Sequence, residues 1–346
     1  MLGYIILMCI IKLQSTNKPV NQATASVEAG KLDLNVVTHS GMYHADDCMA
    51  IALMAEWMWP GATLNLIRTR DKVLIDTADV AVDVSGECAP ERGRYDHHFK
   101  GSPTRPDGSM FASAGLVLEH FAPGIKNSQH VVEFVRRVDA ADTGTKVPGW
   151  RFSMALSQTN PLPGAGSEEY DQRFLEVVEI LRGSVIPVLE DWVHDSTEAA
   201  IEAATKAFEE HPAVLEWHRE SEAAKAASAI RIAAAFARAK ELNNYVVEFE
   251  QAEVAAHDML GTAPEGLFYA VFPSVEGTVM VQQIPKEKGS FEGRLPLPEE
   301  WAGKREAELR QITGVKDAIF CHPGRFVAGA SSREGAMRLA EIAMGK

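Results

Sequence analysis

Hydrophobic and polar positions follow two different periods along the first quarter of the chain. Short apolar runs that end in turn residues have the length of buried strands, and segments with apolar residues at helical spacing lie between them. Strands are predicted at residues 32–37, 63–68 and 80–84, and helices at residues 45–59 and 71–78. Strands that alternate with helices in this way form a parallel sheet. We therefore predict an α/β domain that begins near residue 31.

The pattern changes further along the chain. More helices are predicted at residues 110–122 and 129–138, and a Glu- and Ala-rich segment at 168–240 has the spacing of long helices. Period-two strands follow, at residues 245–249, 267–272, 278–284, 318–321 and 326–328. Ser331 or Ser332 is predicted to cap a final helix. The predicted regions are an appendage (1–30), a catalytic α/β domain (31–165), a helical linker (166–240) and a smaller C-terminal α/β domain (241–346).

The first 30 residues have a composition of their own. An apolar stretch of eleven residues reaches Ile11 and a polar stretch follows to Gly30. Eleven apolar residues are too few to span a bilayer, and there is no basic region before them. No arginine precedes Arg68, which argues against an Arg-rich transit peptide. We predict a disordered appendage, no membrane insertion and a cytoplasmic location, with the mitochondrion or the nucleus as alternatives for a eukaryotic protein.

Composition and charge narrow the functional classes. The chain has 346 residues, 46% hydrophobic and 24% charged, as in a soluble globular protein of about two domains. Its four cysteines form no Cys-x-x-Cys pair, which excludes the usual disulfide and thiolate zinc patterns and favours a reducing compartment. The net charge of -14 argues against a broadly basic nucleic-acid surface, although bound cations would cancel part of it.

Four histidines and six aspartates lie in four short clusters between residues 39 and 142. The clusters are His39-Ser-Gly-Met-Tyr-His44-Ala-Asp46-Asp47, Asp83, Asp96-His97-His98 and Asp139-Ala-Ala-Asp142. Ligands bind at the carboxyl ends of strands in open α/β sheets, so residues that follow different strands are predicted to meet at one edge. So many carboxylates would repel one another and raise some of their pKa values in the absence of a cation.

A pair of divalent cations would remove this repulsion. Oxygen ligands suit magnesium and manganese, and imidazole shifts the preference toward manganese, cobalt or zinc. We therefore expect two Mn²⁺ ions, with Mg²⁺ as the alternative. Two ions about 3.5 to 4 Å apart can share a carboxylate, activate a water and hold phosphoryl oxygens. A purely structural interpretation, with His97 and His98 paired to surface acids and Asp83 capping a turn, requires several unrelated coincidences.

The clusters resemble the motifs of a known family. Asp96-His97-His98 is similar to the DHH phosphoesterase superfamily, and the MYG exonuclease family fits best within it. The matching segments are His39-Ser-Gly-Met-Tyr-His44-Ala-Asp46, Arg94-Tyr-Asp-His-His98, Ser113-Ala-Gly-Leu116, Val138-Asp-Ala-Ala-Asp142, Arg294-Leu-Pro-Leu-Pro-Glu-Glu-Trp301 and Phe326-Val-Ala-Gly-Ala-Ser-Ser-Arg-Glu334. The resemblance runs from about residue 33 to the C-terminus. It implies a DHH-type parallel-sheet catalytic domain and a metal-dependent 3'-5' RNA exonuclease.

The resemblance also implies a role for each residue. The ligands of one ion would be His39, His44 and Asp83. The ligands of the other would be Asp46, Asp83, His97 and Asp142, so that Asp83 bridges the two ions. His98 would contact the phosphate, and Asp96 would orient the neighbouring imidazole. The residues expected behind the ligands are Asp47 and Asp139.

Further residues are implied to bind the phosphates of RNA or of a short oligonucleotide. They are Lys100, Arg294, His322, Arg325 and Arg333. The chain departs from the family pattern at Asp47, where Glu is usual, and at Phe99, where Gln is frequent. Asp47 keeps the carboxylate. The loss of a polar residue at position 99 puts one substrate contact in doubt, and Lys100 is close enough in sequence to replace it.

Two other functions fit the same residues. The first is a hydrolase of small phosphates, such as pyrophosphate, a short oligonucleotide or a cyclic dinucleotide, which the acidic composition favours slightly. The second is a regulatory protein that binds metal without turnover. An exonuclease requires an open basic groove, and a small-phosphate enzyme requires a closed arginine pocket. A regulator would have no vacant coordination position on its metal. The sequence leaves the oligomeric state open.

Overall fold

The structure is a computed structural model that describes residues 10–14, 32–58, 61–121, 128–191, 193–242, 244–253, 256–274, 277–288 and 292–346. The chain divides into two compact units. Unit 1 consists of Met1–Pro161 and Gly166–His218, and unit 2 of Leu162–Ala165 and Arg219–Lys346. These boundaries differ from the predicted ones because the helices after residue 166 share the core of unit 1. Phe174, Phe208 and Trp217 all belong to that core.

Unit 1 contains a six-stranded sheet. Its strands are β1 (Ile10–Leu13), β2 (Asp33–Thr38), β3 (Thr63–Arg68), β4 (Val80–Val82), β5 (Cys88–Ala89) and β6 (Arg94–Tyr95). The order across the sheet is β1-β3-β2-β4-β6-β5. Every neighbouring pair is parallel except β5 and β6. The predicted parallel sheet is therefore confirmed for this part of the chain.

The first strand lies inside the predicted N-terminal appendage. Ile10–Leu13 pair in parallel with residues 63–66 of β3. The backbone N–H of Ile10 donates to Ala62 O and that of Gln14 to Leu66 O, both at 2.9 Å. This pairing satisfies backbone groups that would otherwise be exposed on the outer side of β3. The remainder of the predicted appendage, residues 1–9 and 15–30, lies outside the described residues.

Helices cover the sheet of unit 1. They are α1 (Ala45–Leu53), α2 (Lys72–Thr77), α3 (Ser113–Phe121), α4 (Gln129–Asp142), α5 (Phe152–Ser157), α6 (Ser167–Ile180), α7 (Ile186–Glu190) and α8 (Thr197–Glu209). Two π-helical segments, Met54–Met58 and Leu181–Val185, continue α1 and α6. All residues of α1 are buried. The predicted helix at 45–59 is thus α-helical only as far as Leu53.

A long helix, α9 (Pro212–Glu241), contains the boundary between the two units. Unit 2 has a sheet of five strands, β7 (Val246–Glu248), β8 (Tyr269–Pro273), β9 (Val279–Gln283), β10 (Ala318–Cys321) and β11 (Val327–Ala330). Their order is β10-β11-β9-β8-β7, antiparallel except for β7 and β8. The other helices are α10 (Ala256–Met259), α11 (Glu306–Thr313) and α12 (Arg333–Ala343).

The final helix begins as predicted. The side chain of Ser332 accepts a hydrogen bond from the backbone N–H of Gly335 at 3.0 Å, which confirms a serine cap on α12. Trp301, Tyr269 and Leu339 are fully buried in the core of unit 2. Among the described residues, every helix is too short or too polar to cross a lipid bilayer.

We expect Phe152→Ala to lower the free energy of unfolding of unit 1 by about 3 to 5 kcal/mol, because it opens a cavity between α4, α5 and α8. The Phe152 ring centroid lies 4.8 Å from that of Phe134 and 5.2 Å from that of Phe208. Urea denaturation of the full chain measures the loss. Met154→Ala is the control, because Met154 lies on the same helix and is 63% exposed. Equal losses in both variants would contradict the packing described.

Candidate metal centre

Three neighbouring strands of unit 1 end at one edge of the sheet, and a candidate ligand follows each. His39 comes after β2, Asp83 after β4, and Asp96 after β6. Because β2, β4 and β6 are adjacent and parallel, their carboxyl ends lie side by side. The topology therefore brings together residues that lie more than 50 positions apart in the sequence.

The loop after β2 leads directly into α1. The backbone N–H of His44 donates to Asp47 Oδ1 at 2.8 Å, which forms a capping box at the start of the helix. Asp46 and Asp47 consequently lie in the first turn of α1 and are fully buried. Carboxylates are favourable there because the amino end of a helix carries a partial positive charge.

Three groups of side chains have the geometry to hold a metal ion, and one of them, Asp83 with Asp96, His97 and His98, shares a residue with each of the other two. The first subsite consists of His39, His44 and Asp83, and the second consists of Asp46, His97 and Asp142. Within each subsite the ligand atoms lie within 4.8 Å of one another. The first subsite has the members that the family resemblance implies for one ion, and the second has three of the four implied for the other, without Asp83.

Asp83 lies between the two subsites. Its Oδ2 is 3.4 Å from His39 Nε2, and its Oδ1 is 3.5 Å from His97 Nδ1. The two oxygens therefore face different histidines, as a bridging carboxylate requires. The backbone of Asp83 has a φ of 57°, in the left-handed region that few residues other than Gly, Asn and Asp adopt readily. This conformation ends β4 at Val82, two residues before the predicted end.

The second subsite is closed by α4 and α3. Asp142 Oδ2 lies 3.1 Å from His97 Nε2, and Asp46 Oδ2 lies 3.8 Å from His97 Nδ1. Ser113, the first residue of α3, donates from its backbone to Asp46 Oδ2 at 2.8 Å and from its hydroxyl to Asp83 Oδ1 at 3.1 Å. Ser113 is buried and fixes both carboxylates.

The buried charges shift several pKa values. Burial, followed by the negative charges of Asp83 and Asp142, raises the pKa of Asp46 well above its usual range. Burial alone would lower the pKa of His39, but the neighbouring carboxylates of Asp47 and Asp83 raise it to about 10. Burial would raise the pKa of Asp83, but His39 and His98 outweigh it and hold that pKa far below its usual range. Imidazolium groups thus balance part of the negative charge.

The donor set fits divalent cations. Carboxylate and imidazole ligands together suit manganese. Asp46 Oδ1 is buried and has no hydrogen-bond partner in the described part of the chain. A buried carboxylate oxygen without a partner is costly unless a cation contacts it.

His98 and His44 are exposed, whereas His39 and His97 are buried. His98 Nδ1 lies 3.0 Å from Asp96 Oδ1 and 3.1 Å from Asp83 Oδ1, and these contacts raise the pKa of His98 to about 10. Asp96 also accepts a hydrogen bond from the backbone of Gly86 at 2.5 Å, so its own position is fixed. The side chain of His98 is nevertheless 60% exposed and is accessible to a ligand.

The remaining predicted residues have other surroundings. Asp47 Oδ2 lies 3.2 Å from His39 Nε2, and Lys100 is exposed. Asp139 is fully buried and pairs with Arg105. Within unit 2, the guanidinium group of Arg294 donates to the carbonyls of Ala263 and Pro264, each at 2.6 Å.

The other cations implied for substrate binding also belong to unit 2. Arg333 Nε donates to Glu248 at 2.7 Å, and the Arg333 side chain is 51% exposed. Arg325 has a φ of 57° and donates to the carbonyl of Leu297 at 3.5 Å. His322 is exposed, and its Nδ1 accepts from the backbone of Gly324 at 2.9 Å.

Sequence reasoning assigned no role to three residues that support the site. They are Arg68, Arg105 and Ser113. Ser113 lies in the segment Ser113-Ala-Gly-Leu116, which resembles a family motif, so the sequence contains a signal for this residue. Arg68 interrupts an apolar pattern at the end of a buried strand, which is a weaker signal. Arg105 lies in a polar loop, and no periodicity distinguishes it there.

Relatives of this chain are found in animals, other eukaryotes and bacteria. The chain is 26% identical to the MYG1 exonuclease of Homo sapiens over 343 residues, covering 89% of this chain and 85% of that protein. It is 29% identical to the MYG1 exonuclease of Bos taurus, covering 89% and 84%. It is 26% identical to the MYG1 protein of Chlamydia trachomatis, covering 87% and 93%. No solved structure matches the chain.

The family model for the MYG1 exonucleases, described as an uncharacterised protein family (UPF0160), matches residues 35–344. The match includes both units and every predicted ligand, from His39 to Asp142. This protein therefore belongs to the MYG1 exonuclease family.

Proposed function

We propose that the protein is a metal-dependent phosphodiester hydrolase that degrades RNA from its 3' end. The observation that carries the proposal is the position of Asp83, which directs one carboxylate oxygen toward each of two histidine-containing subsites. The names of the mammalian relatives support an exonuclease. We infer that unit 1 is a DHH-type catalytic domain, because the Asp96-His97-His98 segment supplies ligands at its sheet edge.

Each residue has a defined task in this proposal. Two divalent cations, when bound, supply Lewis-acid stabilisation of the phosphoryl oxygens and a water that is nucleophilic at neutral pH. His98 contacts the scissile phosphate, because its side chain is exposed and lies beside Asp83 and Asp96. Asp96 holds the imidazole of His98 through Nδ1 and so orients it toward the substrate. The fixed positions of these residues align the attacking water with the leaving group.

Phosphate binding beyond the metals requires cations that can reach RNA. Lys100 is exposed two residues after His98 and is our first choice in unit 1. In unit 2 we retain His322, Arg325 and Arg333 as phosphate contacts, with Arg333 in the first turn of α12, where a helix favours anions. Arg294 is also retained, although its guanidinium group already donates to backbone carbonyls.

We expect Asp83→Asn to reduce hydrolysis of 5'-labelled single-stranded RNA in Mn²⁺ by at least about 100-fold, because a bridging carboxylate cannot be replaced by an amide. Asn tolerates the left-handed backbone of Asp83, so the variant should fold. A denaturing gel shows whether products shorten from the 3' end. Asp71→Asn, which alters only the cap that Asp71 forms with the backbone of Val73 and Leu74 in α2, should retain activity.

The same assay separates the competing functions. Pyrophosphate and dinucleotides are tested beside RNA with the wild-type protein. Turnover of pyrophosphate or dinucleotides without turnover of RNA would replace the exonuclease proposal with a small-phosphate hydrolase. Binding of Mn²⁺ without turnover of any substrate would favour a regulatory protein.

We also expect Mn²⁺ to stabilise the folded protein. A ligand at 100 times its dissociation constant contributes about 2.7 kcal/mol, which corresponds to an increase in Tm of about 5 to 10 °C for a unit of this size. Differential scanning calorimetry with Mn²⁺, and again after chelation with EDTA, measures the change. Asp83→Asn should show a smaller increase. An unchanged Tm in the wild-type protein at saturating Mn²⁺ would contradict the metal centre.

A further inference from the structure

Arg68 is a buried cation beside the first subsite. It is the last residue of β3, and its side chain is 0% exposed. One guanidinium nitrogen donates to Gly41 O at 2.7 Å, and the other donates to Asp171 Oδ1 in α6 at 3.0 Å. Its central carbon lies 4.6 Å from the ring centroid of Phe174, at the distance of a cation–π contact. Arg68 therefore joins the loop between His39 and His44 to helix α6.

That loop has a second, separate attachment. The backbone N–H of Tyr43 donates to Asn160 Oδ1 at 2.9 Å, and Asn160 Nδ2 donates back to Tyr43 O at 2.9 Å. Without Arg68 the loop would stay attached at Tyr43 but would lose its contact at Gly41. Gly41 lies between the two histidines, so their separation would no longer be fixed. The expected effect is local to the first subsite.

Arg105 has an equivalent position beside the second subsite. Its side chain is largely buried and pairs with Asp139 on α4, and it donates to Met110 O at 2.8 Å. Asp139 Oδ1 also accepts from the backbone of Gly115 in α3 at 3.0 Å. Asp139 therefore ties the start of α3 to the last turn of α4. Asp142 is the last residue of α4 and lies in the same turn as Asp139. This contact therefore also fixes the position of that ligand.

The two arginines act on different elements. Arg68 contacts Gly41 and Asp171, whereas Arg105 contacts Met110 and Asp139, so the two sets have no member in common. The planar guanidinium group is suited to each task, because it can satisfy two acceptors in fixed directions.

We propose that Arg68 positions the first metal subsite and that Arg105, acting through Asp139, positions the second. Neither arginine is a catalytic residue, because each acts through groups that hold the ligands. The proposal rests on the metal centre of the proposed function and adds the residues that keep its two halves in place.

The test measures Mn²⁺ binding by electron paramagnetic resonance of the free ion, with no substrate present. His44→Ala leaves only the second subsite, and Asp142→Ala leaves only the first. Adding Arg68→Met to Asp142→Ala should raise the remaining dissociation constant about 10- to 100-fold. Adding it to His44→Ala should change the remaining constant by less than about 2-fold, because the hydrogen bonds of Arg68 go to Gly41 and Asp171 and to no residue of the second subsite. Arg105→Met should give the reverse pattern.

Arg182→Met is the matched control. Arg182 is also buried in unit 1, and it bonds Glu56 and Glu179, each at 2.8 Å, away from both subsites. It should lower Tm and leave both dissociation constants unchanged. Arg68→Lys retains the charge but cannot reach Gly41 and Asp171 together, so it should weaken the first subsite less than Arg68→Met does. Arg68→Lys is used in place of Arg68→Met if Arg68→Met does not fold.

The outcomes distinguish this proposal from the function on which it rests. Equal losses at both subsites, or the same losses in Arg182→Met, would overturn the separate roles of the arginines. A wild-type protein that binds fewer than two ions would overturn the metal centre and this proposal with it. A wild-type protein that binds two ions but hydrolyses no RNA would overturn the activity alone and leave the positioning roles intact.

Discussion

Repulsion among buried carboxylates is the constraint that shapes unit 1. Asp46, Asp47 and Asp139 are fully buried, and Asp83 is nearly so. Three kinds of contact lie beside them: the start of a helix at Asp46 and Asp47, an arginine at Asp139, and histidines at Asp83. These devices hold the carboxylates close together at a free-energy cost. Binding of two cations would relieve the repulsion, and the free energy released would contribute to the affinity for the metal.

The parallel sheet makes this concentration of charge feasible. Three adjacent strands end at one edge and present their following loops to the same volume, while α1 is buried beneath them. Backbone donors such as the N–H of Ser113 and Gly86 reach the carboxylates because helices and turns begin at that edge. The centre is therefore attached to rigid elements, which is what precise ligand geometry requires.

Local pattern predicts much of this structure. The strand at 63–68 has its predicted bounds because the alternation of Leu64 and Leu66 with polar residues, following Gly61, identifies it. Clusters of His and Asp at strand ends predict which residues lie together, and their division into two ligand sets comes from the family resemblance. Local pattern does not predict contacts between residues that are far apart in sequence. Arg68 meets Asp171, and Arg105 meets Asp139, only after folding. The same reason explains why the helices after residue 166 resemble a linker in sequence but pack into unit 1.

The backbone at Asp83 restricts which residues can occupy that position. A left-handed φ of 57° is tolerated by Asp because its short side chain can hydrogen-bond locally, whereas longer or branched side chains are strained there. Glu would retain the negative charge, yet it would bear the strain and also move its oxygens by one methylene. Position 83 thus admits a negative charge only on the shortest acidic side chain, and this narrows the substitutions that the position can accept in evolution.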